Sequence, residues 1–248
     1  MSRHSPTFGI PGASAQQRAK QLRADELRFQ HRRALRWLLP VLALWVVAAQ
    51  IVGTILPAAL GWLVALAVPF FGAKRLYEPG PDVQRWLCGA AGERRTAQLL
   101  TRLNRRGWVI LHDRAIPDSR ANLDHLALLP DGRGAVLIDT KTTRGGGQVT
   151  IDGDTLIIGR SKYPKAIKTV LHEAESAARQ LRVPVHPVIA VHGASVRGGR
   201  LRHHPSGLLV VAAPQVRHAL TAIPHQADRS AVEDLTARAT RLLPRYTD

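Results

Sequence analysis

Hydrophobic and polar positions divide the chain into stretches with different rules. Residues 5–14 are rich in Pro, Gly and Ser and show no period. Residues 15–36 are polar and basic, compatible with a basic helix. From 37 to 71 no charged residue occurs. Beyond residue 82 periods of 3.6 and of 2 alternate, the pattern of a mixed α/β domain. Residues 83–103 read as a helix with Leu87, Ala91, Ala97, Leu100 and Leu103 on one stripe. Short strands follow at 108–111, 122–129 and 134–140. The polar turn 112–114, the loop 117–120 and Pro130-Asp131-Gly132 separate them. Residues 148–151 and 155–158 flank Asp152-Gly153-Asp154 as a hairpin. An amphipathic helix spans 163–182, with Ile167, Val170, Leu171, Ala174, Ala178 and Leu181 on one face and Lys165, Lys168, His172 and Arg179 on another. Strands at 185–192 and 207–212 and a terminal helix at 230–243, with Ser230 as cap and Glu233 at capping-box spacing, complete the order. Set aside the hairpin, and the order is helix, three strands, helix, strand, strand, helix.

The uncharged run predicts a membrane element. One straight helix of that length would reach roughly 50 Å, against a hydrocarbon core of about 30 Å. Gln50, Gly53, Thr54 and Pro57 sit where a turn would fall, so the pattern predicts a hairpin of helices at 37–52 and 57–71. Each is near the short end of the spanning range, which leaves thinning or shallow insertion open. Arg32, Arg33 and Arg36 precede the run, and Lys74 and Arg75 follow it. By the positive-inside rule both ends stay cytoplasmic, which predicts a two-pass cell-membrane protein with a cytoplasmic soluble domain. Trp37, Trp45, Trp62, Phe70 and Phe71 would anchor it at the interfaces. The alternatives are a buried core pair, which normally shows polar positions at helical spacing, and a signal peptide, which starts nearer the N-terminus. The predicted organisation is a basic, partly disordered segment 1–36, the hairpin 37–71, a linker 72–87, a domain 88–215 and a helical extension 216–248.

Composition changes this picture modestly. The 248 residues carry 35 Lys+Arg against 18 Asp+Glu, a formal charge of +17. That charge suits a polyanion partner, nucleic acid or anionic lipid, without choosing between them. Arginine dominates the basic residues, as a high-GC coding bias would give, so the charge alone argues weakly. The single cysteine, Cys88, excludes an internal disulfide and a CxxC zinc site and suits a reducing compartment. No disulfide-linked partner is expected, and nothing fixes the oligomeric state.

The candidate chemistry sits on the second and third strands. Strand alternation puts Asp139 and Lys141 on one side, and Asp124 on the same side as Leu126 and Leu128. The turn at 130–134 would bring Asp124 and Asp139 together at one end of the sheet. Two converging carboxylates make a hard oxygen site for Mg²⁺ or Mn²⁺, completed by water and substrate phosphate. A neighbouring lysine would position or activate the attacking water and stabilise charge on phosphate. The ordinary alternative is an exposed strand end with a local Asp–Lys ion pair. Glu93 follows two glycines, Gly89 and Gly92, which are costly in a helix unless it packs closely against something such as that sheet end. Glu93 would then add a ligand or a supporting contact; otherwise it is a solvated acid beside Arg94 and Arg95. Lys162, Lys165 and Lys168 form a candidate phosphate track or a solvated face. Gln148 is a candidate phosphate or base contact or, more simply, a polar strand start. His125 alternates away from Asp124 and is read as a packed histidine. No zinc set, nucleophile arrangement or P-loop is found.

Taken in order, Gly-x-x-Gly-Glu at 89–93, Leu123-Asp124-His125-Leu126, Val136-Leu137-Ile138-Asp139-Thr140-Lys141 and the later helix resemble the NERD, or nuclease-related, domain. That family is placed in the restriction-endonuclease-like PD-(D/E)xK fold. The resemblance covers about residues 88–215. It implies an αβββαβ core and a divalent-metal nuclease site with Asp124 as the first acid, Asp139 and Lys141 as the acid-x-Lys motif and Glu93 as the helical acid. One departure is Asp139 where glutamate is commoner, which moves a metal by about one methylene. The expected protein is a membrane-anchored, metal-dependent phosphodiesterase of nucleic acid, DNA favoured over RNA. The alternative is a non-catalytic membrane-tethered adaptor for nucleic acid or another polyanion.

Overall fold

The computed structural model describes residues 7–55, 67, 70, 71, 74, 77–117, 119, 121–204 and 206–246. Two compact units emerge, residues 17–86 and residues 1–16 with 87–248. Within the first, Arg23 pairs with Glu26 at 3.2 Å, and Glu26 Oε2 also accepts the Gly80 backbone N–H. Arg23 donates to the carbonyls of Tyr77 and Glu78.

One helix, α1 (Ala13–Ile55), replaces the two predicted at 15–36 and 37–52. Residues 37–55 of the apolar stretch are therefore the tail of a helix whose first half is densely charged, and Val47 and Ile51 on it are exposed. The second predicted arm, 57–71, lies outside the described residues apart from Ala67, Phe70 and Phe71. Among the described residues no helix is long and apolar enough to cross a membrane. This overturns the two-pass, cell-membrane expectation.

The second unit is an α/β fold with two mixed sheets flanked by helices. Its elements are β1 (Thr7–Phe8), α2 (Pro81–Thr101, entering from the other unit), β2 (Val109–Ala115), β3 (Asn122–Leu128), β4 (Ala135–Thr142), β5 (Gln148–Asp152), β6 (Thr155–Ile158) and β7 (Ser161–Tyr163). They continue with α3 (Ala166–Leu181), β8 (Val185–His192), β9 (Ser195–Val196), β10 (Arg200–Arg202), β11 (Leu209–Ala212), α4 (Val216–Thr221) and α5 (Arg229–Leu242). The large sheet runs β1-β2-β3-β4-β8-β11-β10 and the small one β7-β6-β5-β9. β2, β3 and β4 are antiparallel neighbours, while β4, β8 and β11 run parallel. Parallel β4 and β8 need a long connection, supplied by β5–β7 and α3.

Alternation sorts the core onto two faces. Leu126, Leu128, Ala135, Leu137, Ile189 and Val191 pack with Ile167, Val170, Ala174 and Ala177 of α3 and with Val232 and Leu235 of α5. Ala127, Val136, Ile138, Val188 and Val211 pack with Leu100 of α2 and with Val216 and Leu220 of α4 on the other. The predicted stripe of α2 is corrected at one end. Ala90 is fully buried, whereas Leu87 is exposed. The expected turn at 112–114 is instead strand, because β2 runs on to Ala115. The cap of α5 is Asp228, not Ser230, its side chain accepting the Ala231 N–H at 3.1 Å.

Candidate active site

The β3–β4 register sets His125 opposite Ile138. One step further along, Asp124 stands opposite Asp139, where cross-strand Cβ atoms are about 5 Å apart. The aspartates and Lys141 share the face covered by α3. Asp124 Oδ2 accepts the Thr140 N–H at 2.8 Å, which fastens it to the neighbouring strand. Lys141 Nζ donates to Asp139 Oδ1 at 2.8 Å. Asp139 Oδ2 is buried with no hydrogen-bond partner among the described residues, and so is Glu93 Oε2.

Glu93 reaches this end of the sheet because α2 packs tightly there. A Cβ at Gly92 would collide with Thr142 Oγ1 and come within 3.3 Å of Thr140 Cγ2, whereas one at Gly89 would meet nothing within 4 Å. The close approach foreseen for both glycines belongs to Gly92 alone. Gly92→Ala is expected to destabilise by about 1–2 kcal/mol, the overpacking outweighing the gain in helix propensity. Gly89→Ala should stabilise by up to about 1 kcal/mol. Thermal melting of the two variants checks the opposite signs.

Charge is concentrated here. Burial, then the charges of Asp124, Asp113 and Asp139, push the Glu93 carboxyl up to about 9, against the pull of Lys141. Burial and Asp139 raise Asp124 to about 7, opposed by Lys141 and the Thr140 N–H. Glu173, on the buried face of α3, is raised to about 8 by burial and by Asp139 and Asp124. Burial pulls the Lys141 ammonium down, but Asp139 and Asp124 outweigh it and the net shift is upward. Lys141 is therefore a cation at neutral pH, suited to steadying charge rather than to accepting a proton.

Behind the carboxylates, on the α2 face, lies a buried polar layer. His112 Nδ1 and His125 Nδ1 are 2.8 Å apart, so one donates and the other accepts. Burial lowers His112 to about 4 and holds His125 well below the usual imidazole range. His125 is fully buried, in keeping with its reading as a packed residue. Thr140 Oγ1 donates to Thr96 Oγ1 at 3.1 Å, and Thr96 Oγ1 lies 2.8 Å from His192 Nε2.

The remaining sequence candidates lie elsewhere. Gln148 is exposed at the start of β5, its carbonyl accepting the Gly159 N–H. Lys162 on β7, Lys165 just before α3 and Lys168 in its first turn are all exposed. None of the four is among the charges acting on Asp124, Glu93, Glu173 or Lys141. Two residues of the cluster escaped the sequence reading. Glu173 had a signal: it stands three after Val170 and four before Ala177, on the apolar stripe. Asp113 had none. It sits mid-strand with φ 51°, and its carboxylate accepts the Ser14 N–H at 2.8 Å and the Asn122 amide at 3.0 Å.

A divalent cation fits this donor set in one form. Asp124 and Asp139 offer hard oxygens, one of them buried and unpartnered, amid carboxylates whose mutual repulsion a cation would relieve. Among the described residues no three His, Cys, Asp or Glu form a group able to hold a metal ion. The fit is thus to two carboxylates completed by water and phosphate, the mode favoured by Mg²⁺, and not to an all-protein cage.

The family model of NERD, the nuclease-related domain, matches residues 88–192. That stretch runs from within α2 through β8 and contains Glu93, Asp124, Asp139, Lys141 and Glu173. Residues 88–192 are thus similar to a nuclease-related domain, and the elements after β8 complete the fold around that stretch. No curated protein and no solved structure matches the chain.

Proposed function

We propose that this chain is a phosphodiesterase of nucleic acid, of the restriction-endonuclease-like type, working with Mg²⁺ or Mn²⁺ at Asp124 and Asp139. The carrying observation is the pair of opposed aspartates with the Lys141 ammonium 2.8 Å from Asp139. The nuclease-related match over the same residues supports it. A divalent cation there supplies Lewis acidity toward water and a phosphoryl oxygen. Asp124, fastened by Thr140, and Asp139, fastened by Lys141, fix the two oxygen donors in a preset geometry. The Lys141 ammonium stabilises negative charge building on the phosphate. Glu93, uncharged at neutral pH, adds an acidic O–H beside the donors without adding repulsion. The chain's excess of cations attracts the polyanionic substrate, DNA ahead of RNA.

Full-length protein incubated with DNA and RNA in Mg²⁺ or Mn²⁺ should cut one of them, and EDTA should stop the cutting. Lys141→Ala is expected to slow it by about 10²-fold. A second reading draws on the same charge and on the lack, among the described residues, of a third carboxylate in a metal-holding group: a non-catalytic binder of nucleic acid or another polyanion. It predicts salt-sensitive binding indifferent to EDTA and no cleavage with any divalent metal. Gel shift and cleavage assays run side by side separate the two.

A further inference from the structure

On the opposite face of the large sheet from the carboxylates, between β10 and α4, the surface opens into a cavity of about 770 Å³. Pockets of 300–1,000 Å³ ordinarily take a single small ligand. Its floor is apolar, with Val188, Leu209 and Leu220. Arg200 and Arg202 stand on its wall, alternate residues of a short edge strand and so on one side of it. The register confirms the side: Arg200 is opposite Val211 and Arg202 opposite Leu209. Arg202 Nη1 is held by the Gly207 carbonyl at 3.2 Å, which fixes one guanidinium at the mouth. His186 and Ser206 add polar groups at the rim. A second cavity of about 460 Å³ shares Arg200 and Ala219 with the first and adds His218 and Gln215. Among the described residues no Asp or Glu lines either one.

An apolar floor with two guanidiniums above it and no counter-charge is complementary to a flat organic body carrying a phosphate. Guanidinium forks match phosphate oxygens, and arginine planes also stack on aromatic rings. We infer that this cavity binds a 5′-phosphorylated nucleoside, either as a free mononucleotide or as the terminal residue of a strand. The inference does not depend on cleavage by the carboxylate site. In the parallel β4–β8 pair Asp139 is opposite Ile189, whereas His186 and Val188 of the cavity lie toward the start of β8 and Val188 faces the other side.

The test is calorimetric titration of the full chain, without divalent metal, using each nucleoside 5′-monophosphate, inorganic phosphate and a 5′-phosphorylated trinucleotide. Saturable one-to-one binding is expected for at least one mononucleotide or for the trinucleotide, tighter than for phosphate by tenfold or more. Binding by the mononucleotide marks a free nucleotide as the occupant, and binding by the trinucleotide alone marks a strand end. Arg200→Ala with Arg202→Ala should weaken binding at least tenfold. Ala219→Trp, which fills the cavity with both arginines in place, should do the same. Asp139→Ala should leave binding unchanged, so a failure here is distinct from a failure of the nuclease reading. Overturning results are no saturable binding, phosphate binding as tightly as the nucleotides, or equal loss in Asp139→Ala.

Discussion

Asp139→Asn is expected to abolish most metal-dependent cleavage, by about 10³-fold or roughly 4 kcal/mol of barrier, while nucleic-acid binding stays within a few-fold. The substitution keeps the side chain's shape, and Asn can still accept from Lys141 Nζ through its amide oxygen. What disappears is the charge and the unpartnered oxygen that make the pair with Asp124 a site for a hard cation. The same change should shrink the rise in melting temperature that Mg²⁺ produces, because ligand binding to the folded state stabilises it by mass action. Cleavage kinetics, gel shift and melting with and without Mg²⁺ give the three readings. A variant that cuts at the wild-type rate would show that the chemistry resides elsewhere.

Between pH 7 and 9.5 the metal-free protein should lose stability as the pH rises, by about 2–3 kcal/mol or on the order of 5–10 °C in melting temperature. In the folded chain Glu93, Glu173 and Asp124 titrate near 9, 8 and 7. Unfolded, each would release its proton near pH 4. The native state therefore holds protons that the unfolded chain has already lost, and raising the pH through the folded values removes that advantage. Below pH 7 the histidines act in the opposite sense. His112 and His125 are held neutral by burial, so the unfolded chain binds protons that the native state refuses, which offsets part of the stability that the three carboxyls give as the pH drops from about 6.5 toward 4.5. Mg²⁺ should flatten the alkaline limb, and Glu173→Gln should remove part of it. A melting temperature level from pH 7 to 9.5 would contradict the crowding of buried carboxylates.

Much of this site could be read from the sequence because strand alternation and one tight turn suffice to align Asp124 with Asp139. Asp139 and Lys141 share a face whatever the tertiary packing, and the β5–β6 hairpin and α3 follow from equally local patterns. Glu173 was missed because an acid between His172 and Ala174 looks like a solvated helix position until its spacing to Val170 and Ala177 is weighed. Asp113 was not readable: its left-handed backbone and its hold on Ser14 depend on a contact between residues 99 positions apart. Two- and three-residue strands such as β1, β7, β9 and β10 are shorter than a period can reveal. The long uncharged run misled for a different reason. The onset of that run at residue 37 was taken as a boundary, whereas α1 crosses it without a break and ends at Ile55.

The outer border of β2 is hemmed by both ends of the chain. Thr7 and Phe8 pair with Ile110 and Leu111, and farther along the Ala115 N–H donates to Pro244 and the Tyr246 N–H to the Asp113 carbonyl. A protein trimmed to start at residue 82, the obvious way to isolate the nuclease-related stretch, would strip the first hem. It would bare the amides of an apolar strand one removed from Asp124, and such a border templates self-association. Trimmed protein should scatter light or form higher oligomers where the full chain does not, and weak activity from it would reflect clumping rather than an inert site.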